Sequence, residues 1–272
     1  MDYFEIRIHP ASEEKREILS SLLAEAQFES FVETEDELLA YIQVNNYFRE
    51  KVEQICDQFE VKFAEKRIPD QNWNAEWEKN FEPVLIAGKC YIRAPFHAPR
   101  PDVPFEIIIE PKMSFGTAHH ETTAMMIEMM MHMDFRGKKV LDMGCGTGIL
   151  AILACKMGAS EVDAIDNNSW AFNNAMENMA RNSASAVTVK MGDIDAAGSG
   201  YNILLANINR NVLISHIPGY SKDIQEGELL ISGFYEEDLA MIRQVAESNA
   251  FVFGRYITEN RWVAALFIKS DK

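Results

Sequence analysis

The sequence predicts an α/β protein, a Rossmann-like parallel sheet covered on both faces, preceded by a small α+β unit in the ferredoxin-like order βαββαβ. Three observations carry this. After residue 111, short β-rich runs alternate with helical periodicities; a glycine-rich turn follows the first of these runs; and residues 1–67 hold four strand-like stretches interleaved with two amphipathic ones. The expected domains are 1–67, a Pro-rich linker with junction strands over 68–111, and the larger α/β domain over 112–272.

The first strand is "YFEIRI", where Phe4, Ile6 and Ile8 alternate with Glu5 and Arg7. Between Ala11 and Ala26 the apolar positions Ile18, Leu19, Leu22, Leu23 and Ala26 fall on one helical face. "SFVET" and "LLAYIQV" read as two strands joined by a charged turn at Glu35 and Asp36. Phe48, Val52, Ile55, Cys56 and Phe59 mark a second helix, and "EVKFAEK" a last strand. Seven of the nine prolines lie between residues 69 and 111, and proline neither donates to a strand ladder nor continues a helix, so short strands and extended connections are expected there. Beyond it, "KKVLDMG", "EVDAID", "AVTVKMGD", "YNILLAN", "GELLISGF", "FVFGRYI" and "WVAALFI" are the strands of the larger sheet. A parallel sheet of this kind binds ligands at the carboxyl ends of its strands.

The formal net charge of 272 residues is −16, and residues 1–70 alone hold 17 acidic against 8 basic side chains. No basic stripe offsets this, so a basic protein partner or a small molecule is expected rather than free nucleic acid; the same surplus also serves solubility. The four cysteines lack metal-site spacing, so no metal is expected. No apolar run approaches the ~20 residues that cross a bilayer, and "MDYFEIRIHP" is no signal peptide, so the expected compartment is the cytoplasm and no membrane partner is expected.

The most informative stretch is "VLDMGCGTGIL". An apolar strand runs into Gly144, Gly146 and Gly148, where a tight turn and a close ligand need residues without a Cβ. The dinucleotide fingerprint needs its third glycine at 149, and that residue is Ile149. The spacing here is G-x-G-x-G, with Asp142 two places ahead, and it resembles the first motif of class I S-adenosylmethionine-dependent methyltransferases. "EVDAID" ends on Asp166, 18 residues past Gly148, where a carboxylate suits the two hydroxyls of a ribose. Asp193, in "KMGDI", stands at the next strand end, where it either meets the adenine amino group or simply terminates the strand. Ahead of the glycine turn, "MSFGTAHHETT" opens a helix whose free N–H groups suit a carboxylate, and the methionines of "AMMIEMMMHM" read as core filler.

"FGTAHHETT", "LDMGCGTGILAI", "AIDNN" and "LLANI", in this order, resemble the ribosomal protein L11 methyltransferases, as does "NWNAEWEKNFEPVLIAGKCYIRAP" with Trp73, Trp77 and Pro83. The resemblance covers most of the chain. It implies a class I methyltransferase domain using S-adenosyl-L-methionine, an N-terminal domain that recognises the substrate protein, and methylation of lysine or N-terminal amines of that large-subunit ribosomal protein. The family's donor contacts fall on Thr123, Gly144, Asp166 and Asn207; Gly146, Asp193 and Phe115 complete the expected donor-binding set. The chain departs from the family at Ala118, usually Gly, at His119, usually Thr, at Glu121, usually Pro, and at Asn202, commonly Asp.

Asn207 ends the apolar run of "YNILLAN" on an uncharged amide. An attacking amine must be neutral, and a lysine with pKa near 10.4 costs about 4–5 kcal/mol to present so at pH 7. A carboxamide oxygen accepts from the amine N–H without adding the negative charge that holds it protonated. Asn207 is therefore the expected catalytic residue, with His120 as first candidate for a base and His119 as second. Two alternatives stand beside this reading: another class I N-methyltransferase acting on a different protein or nucleic-acid nitrogen, and a non-catalytic ribosome-associated binding protein. Ile208 and Asn209 follow Asn207, where enzymes acting on flat bases more often carry Pro-Pro.

Overall fold

The computed structural model describes residues 2–9, 12–34, 37–68, 82–110, 118–224 and 226–269. The chain divides into two compact units, Met1–Trp77 and Glu78–Lys272.

In the first unit, β1 (Tyr3–His9), α1 (Glu13–Glu25), β2 (Ser30–Glu33), β3 (Leu38–Gln43), α2 (Arg49–Gln58) and β4 (Lys62–Ile68) follow one another. The sheet runs β2-β3-β1-β4 with every pair antiparallel. Ile6 and Ile8 of β1, Leu38, Ala40 and Ile42 of β3, Leu19 and Leu23 of α1, and Val52 and Cys56 of α2 close its core. Two expected core residues lie outside it: Ile18 is 42% and Phe48 67% exposed. The buried stripe of α1 is the i, i+4 row of Leu19 and Leu23, and Ile18 flanks it. Phe48 is the N-cap of α2, where the backbone is still extended, so helical periodicity does not aim its side chain. The turn at Glu35 and Asp36 lies outside the described residues.

In the second unit, β5 (Val84–Ile86), β6 (Cys90–Arg93) and β7 (Phe105–Ile108) form a three-stranded sheet, β5 antiparallel and β7 parallel to β6. The Pro-rich span thus carries a sheet of its own, and Ile86, Ile92 and Ile107 share one core with Val140, Ile149 and Leu153 of the larger sheet's layer. Then come α3 (Glu121–Met130), β8 (Lys139–Met143), α4 (Ile149–Lys156), β9 (Glu161–Asp166), α5 (Ser169–Arg181), β10 (Val187–Met191), β11 (Ile203–Asn207), α6 (Arg210–Asp223), β12 (Gly227–Tyr235), α7 (Leu239–Ser248), β13 (Val252–Glu259) and β14 (Trp262–Lys269). The seven-stranded sheet runs β10-β9-β8-β11-β12-β14-β13; the first five strands are parallel and β14 is antiparallel to both neighbours. Strand order reverses at β8, so its carboxyl end, beside that of β11, is the topological switch point where such sheets bind ligands. Met125, Met126, Met129 and Met130 of α3 are all buried, as core.

Helix α5 holds the chain beyond β7 with side-chain amides. Asn182 Oδ1 accepts from the Ile108 N–H at 2.9 Å while its Nδ2 donates to the Ile108 carbonyl at 2.6 Å. One turn earlier, Asn178 Oδ1 accepts from the Glu110 N–H at 3.0 Å and Nδ2 donates to the Thr147 carbonyl at 3.0 Å. Asn178 is fully buried, and its partners lie on the segment after β7 and on the glycine turn.

Ala118 sits at φ +68° and is buried. A left-handed alanine costs about 1–2 kcal/mol, more than the ~0.8 kcal/mol its buried methyl returns. Ala118→Gly is therefore expected to raise stability by about 0.5–1 kcal/mol, checked as a higher urea midpoint. Asn202 makes a different departure without cost, because its Oδ1 accepts from the Lys139 N–H at 2.9 Å and only an acceptor is needed there.

Candidate active site

A cleft of ≈ 820 Å³ opens over the carboxyl ends of β8, β9, β10 and β11, a volume within the range of small-molecule sites. The glycine turn after β8 forms its floor. The N–H groups of Gly144 and Cys145 donate to the Ile165 carbonyl at 2.8 and 3.0 Å, which ties the turn across the end of β9. Gly144 sits at φ +69°, and a Cβ on it would stand 2.3 Å from Ile208 Cγ2. The turn therefore admits no side chain where the loop after β11 crosses it.

Asp166 ends β9, and its two carboxylate oxygens are each anchored once. Oδ2 accepts from the Gly146 N–H at 2.9 Å and Oδ1 from the Asn168 N–H at 2.9 Å. A carboxylate offers about four acceptor directions, so each oxygen keeps capacity for one hydroxyl.

Asp142 lies beneath the same turn, fully buried, accepting from the Ala151 N–H at 3.0 Å. Burial pushes its carboxyl up to about 7, the Ala151 bond opposing this and the Asp166 charge adding to it. The folded value is above the unfolded one, so the stability Asp142 contributes is fully present below about pH 4 and is lost as pH rises through about 7. Asp142→Asn keeps the acceptor for Ala151 and removes the charge. Its advantage over the parent protein is expected to grow from near zero below about pH 4 to a plateau of about 2–4 kcal/mol above about pH 7, read from urea unfolding at each pH. Cys145, in the turn itself, has its thiol pushed well up by burial, which removes it as a nucleophile near neutrality.

Across the cleft, Asn207 ends β11. Its Nδ2 donates to Thr123 Oγ1 at 3.2 Å, with Thr123 buried in the first turn of α3. Its Oδ1 is buried and has no hydrogen-bond partner among the described residues. Three buried side-chain atoms there share that state, Ser20 Oγ, Asn174 Nδ2 and Asn207 Oδ1, and of these residues only Asn207 lines the cleft. Buried acceptors in native proteins are paired with few exceptions. An orphan of this kind in a ligand cleft marks a donor that arrives with the ligand.

His120 is the N-cap of α3. Its Nδ1 accepts from the Thr122 N–H at 3.3 Å and lies 2.9 Å from Thr122 Oγ1, and its ring meets Trp262 edge-on at 5.0 Å. His119 faces away from this arrangement, its Nε2 2.8 Å from the Glu82 carbonyl. Asp193 follows β10 at the cleft's far end. Of the sequence-expected residues, His120, Thr123, Gly144, Gly146, Asp166, Asp193 and Asn207 thus line one cleft. Phe115 lies outside the described residues. The cleft also holds His216 from α6, Trp170 from α5 and Trp262 from β14, which no motif announces. The donor set is oxygen- and amide-rich, and no group of three or more His, Cys, Asp or Glu residues that could hold a metal occurs among the described residues. No described helix is long and apolar enough to cross a membrane.

The family model for "Ribosomal protein L11 methyltransferase (PrmA)" matches residues 3–270. A ribosomal protein L11 methyltransferase of Phocaeicola vulgatus is 41% identical over 279 residues, covering 98% of this chain and 99% of that protein. One of Porphyromonas gingivalis is 43% identical over 260 residues, covering 92% and 90%. Among solved structures, a ribosomal protein L11 methylase of Lactobacillus delbrueckii subsp. bulgaricus shares the fold with a TM-score of 0.65 at 24% identity, over 70% of this chain and 100% of that one.

Proposed function

The chain belongs to the ribosomal protein L11 methyltransferase family, and from that premise we propose that it transfers methyl groups from S-adenosylmethionine to lysine or N-terminal amino groups of ribosomal protein L11. The observation that carries this reading is the unpartnered Asn207 Oδ1 in the cleft that also holds Asp166. S-adenosylmethionine supplies an electrophilic methyl on a sulfonium. Everything else is the work of the chain's own residues.

The glycine turn supports the donor by close main-chain approach at Gly144 and Gly146, and the anchored Asp166 carboxylate accepts from the ribose hydroxyls. Thr123 holds the Asn207 amide by accepting from Nδ2, which supports Oδ1 as the half of the amide that accepts from the substrate amine. That oxygen accepts an amine N–H and so aims the nitrogen lone pair, while its neutrality leaves the amine free to lose its proton. Holding two reactants in line is the main catalytic contribution such a site makes. The acidic surface of residues 1–70 complements a basic substrate protein.

His120 is proposed as the group that takes the amine proton, received on Nδ1, which gives up its bond from the Thr122 N–H and then donates to Thr122 Oγ1. Because it also caps α3, His120→Asn separates the two roles, retaining a capping side chain without an imidazole. Single-turnover rates of this variant are expected to fall at least about tenfold between about pH 6 and 9 with donor affinity unchanged, and rates equal to the parent's across that range exclude the role.

The test of the function is incubation with labelled S-adenosylmethionine and purified ribosomal protein L11, followed by intact mass. Mass increments of one methylene on that protein support the proposal. Absence of incorporation, with donor binding intact, overturns the substrate assignment.

A further inference from the structure

We propose that Tyr220, His216 and Asp193 form a hydrogen-bonded relay that positions the Asp193 carboxylate, and that this relay makes the cleft selective for a 6-amino purine. The inference rests on the donor assignment above and adds residues to it.

Three observations meet here. First, His216 Nε2 lies 3.3 Å from Asp193 Oδ1, and the Ile194 N–H donates to that same oxygen at 2.8 Å. One carboxylate oxygen is thereby occupied twice, and the accepting capacity left to the side chain is concentrated on Oδ2. Second, His216 Nδ1 lies 3.3 Å from the Tyr220 hydroxyl one turn along α6, the two rings edge-to-face at 5.8 Å. Tyr220 is fully buried, and burial holds its hydroxyl protonated far above the ordinary phenol range. The Asp193 carboxylate only accepts, so the imidazole turns Nε2–H toward it, and Nδ1 is left as the acceptor for the Tyr220 O–H. Third, the approach of the helix is specifically permitted. A Cβ on Gly219 would stand 2.4 Å from Ile194 Cδ1, so the bare position lets α6 pack on the turn bearing Asp193 with the Ile194 side chain where it is.

The consequence is chemical. Asp193 is 54% exposed at the cleft while His216 is 12% exposed, so without the imidazole only the Ile194 N–H would hold the carboxylate against water. Held, it presents an acceptor to an exocyclic amino group and an unpaired, repelling charge to a 6-oxo group. A site built to accept from an N–H rejects the analogue that lacks it much more strongly than a merely hydrophobic pocket does. Oδ1, bound from two sides, does the holding and Oδ2 does the reading.

The experiment is calorimetry of the full chain with S-adenosylhomocysteine and with its 6-oxo counterpart, S-inosylhomocysteine, on the parent protein, His216→Leu, His216→Gln and Tyr220→Phe. The parent is expected to prefer the amino form. His216→Leu is expected to bind it about tenfold more weakly and to lose most of the preference, the usual scale for one hydrogen bond to a charged group. His216→Gln, whose amide N–H reaches where Nε2 stands, is expected to retain both, and Tyr220→Phe to give a loss of about threefold. Under saturating donor, kcat of His216→Leu is expected to stay at the parent value while donor KM rises. An unchanged preference in His216→Leu overturns the relay while leaving the donor site standing. Equal loss in the Leu and Gln variants assigns His216 to packing and overturns it as well. Failure of the parent to bind S-adenosylhomocysteine removes the donor assignment and the relay together.

Discussion

Asp166→Ala is expected to lose S-adenosylmethionine binding by about 100-fold to about 20,000-fold, since two hydrogen bonds to a charged group, each about 1.5–3 kcal/mol, vanish together. The geometry adds a second cost. Asp166 is also the acceptor for the N–H groups of Gly146 and Asn168, so the variant frees the middle of the glycine turn and the start of the segment leading into α5. Two N–H groups left to water at the cleft's edge are expected to lower stability by about 1–3 kcal/mol without unfolding the sheet, because β9 is held by ladders to both neighbours. Calorimetry with S-adenosylhomocysteine reads the first effect and circular dichroism the second. Parent-like affinity in a folded variant refutes the ribose assignment.

The second large effect is at Asn207, where the sign of the pH dependence separates its roles. Asn207→Leu removes the accepting oxygen and the Thr123 bond, and its kcat is expected to fall by about 100-fold or more, the scale at which misaligned reactants lose rate. Asn207→Asp keeps an acceptor and adds a charge. A carboxylate within contact of an amine favours the ammonium form and raises its pKa by about 1–3. Since only the neutral amine attacks, the rising limb of the pH–rate profile is expected to move upward by about the same amount, with activity recovering at alkaline pH. A profile of Asn207→Asp superposable on the parent's would mean that the carboxamide does not face the nucleophile.

Much of this molecule is legible in its sequence because the relevant signals are local. The strand run that ends at Asn207 is apolar until its last residue, an earlier run closes on Asp166 at the expected distance from the glycines, and Gly144, Gly146 and Gly148 mark the turn by composition alone. What escapes is tertiary. Asn207 and Thr123 are 84 residues apart, so the bond that orients one amide half and leaves the other unpaired has no sequence signature. His216 sits mid-helix among residues that show no motif, and it meets Asp193 only in the folded chain, where Gly219 packs on Ile194. Trp262 reaches His120 from the far end of the chain. The Pro-rich span holds the short strands expected of it, because proline forbids a donor only at its own position and β5, β6 and β7 fit between the prolines, but their pairing into one sheet has no local signal.

The amide staples from α5 act on the backbone of residues 108–110: Asn182 grips Ile108 by both its main-chain groups and Asn178 grips Glu110 by its N–H, so these bonds themselves would survive a change of either side chain. The stretch is thus moored like a ship to fixed bollards, and what its side chains add, the Glu110 pair with Arg181 at 2.6 Å and the buried Ile109, tightens a mooring already made.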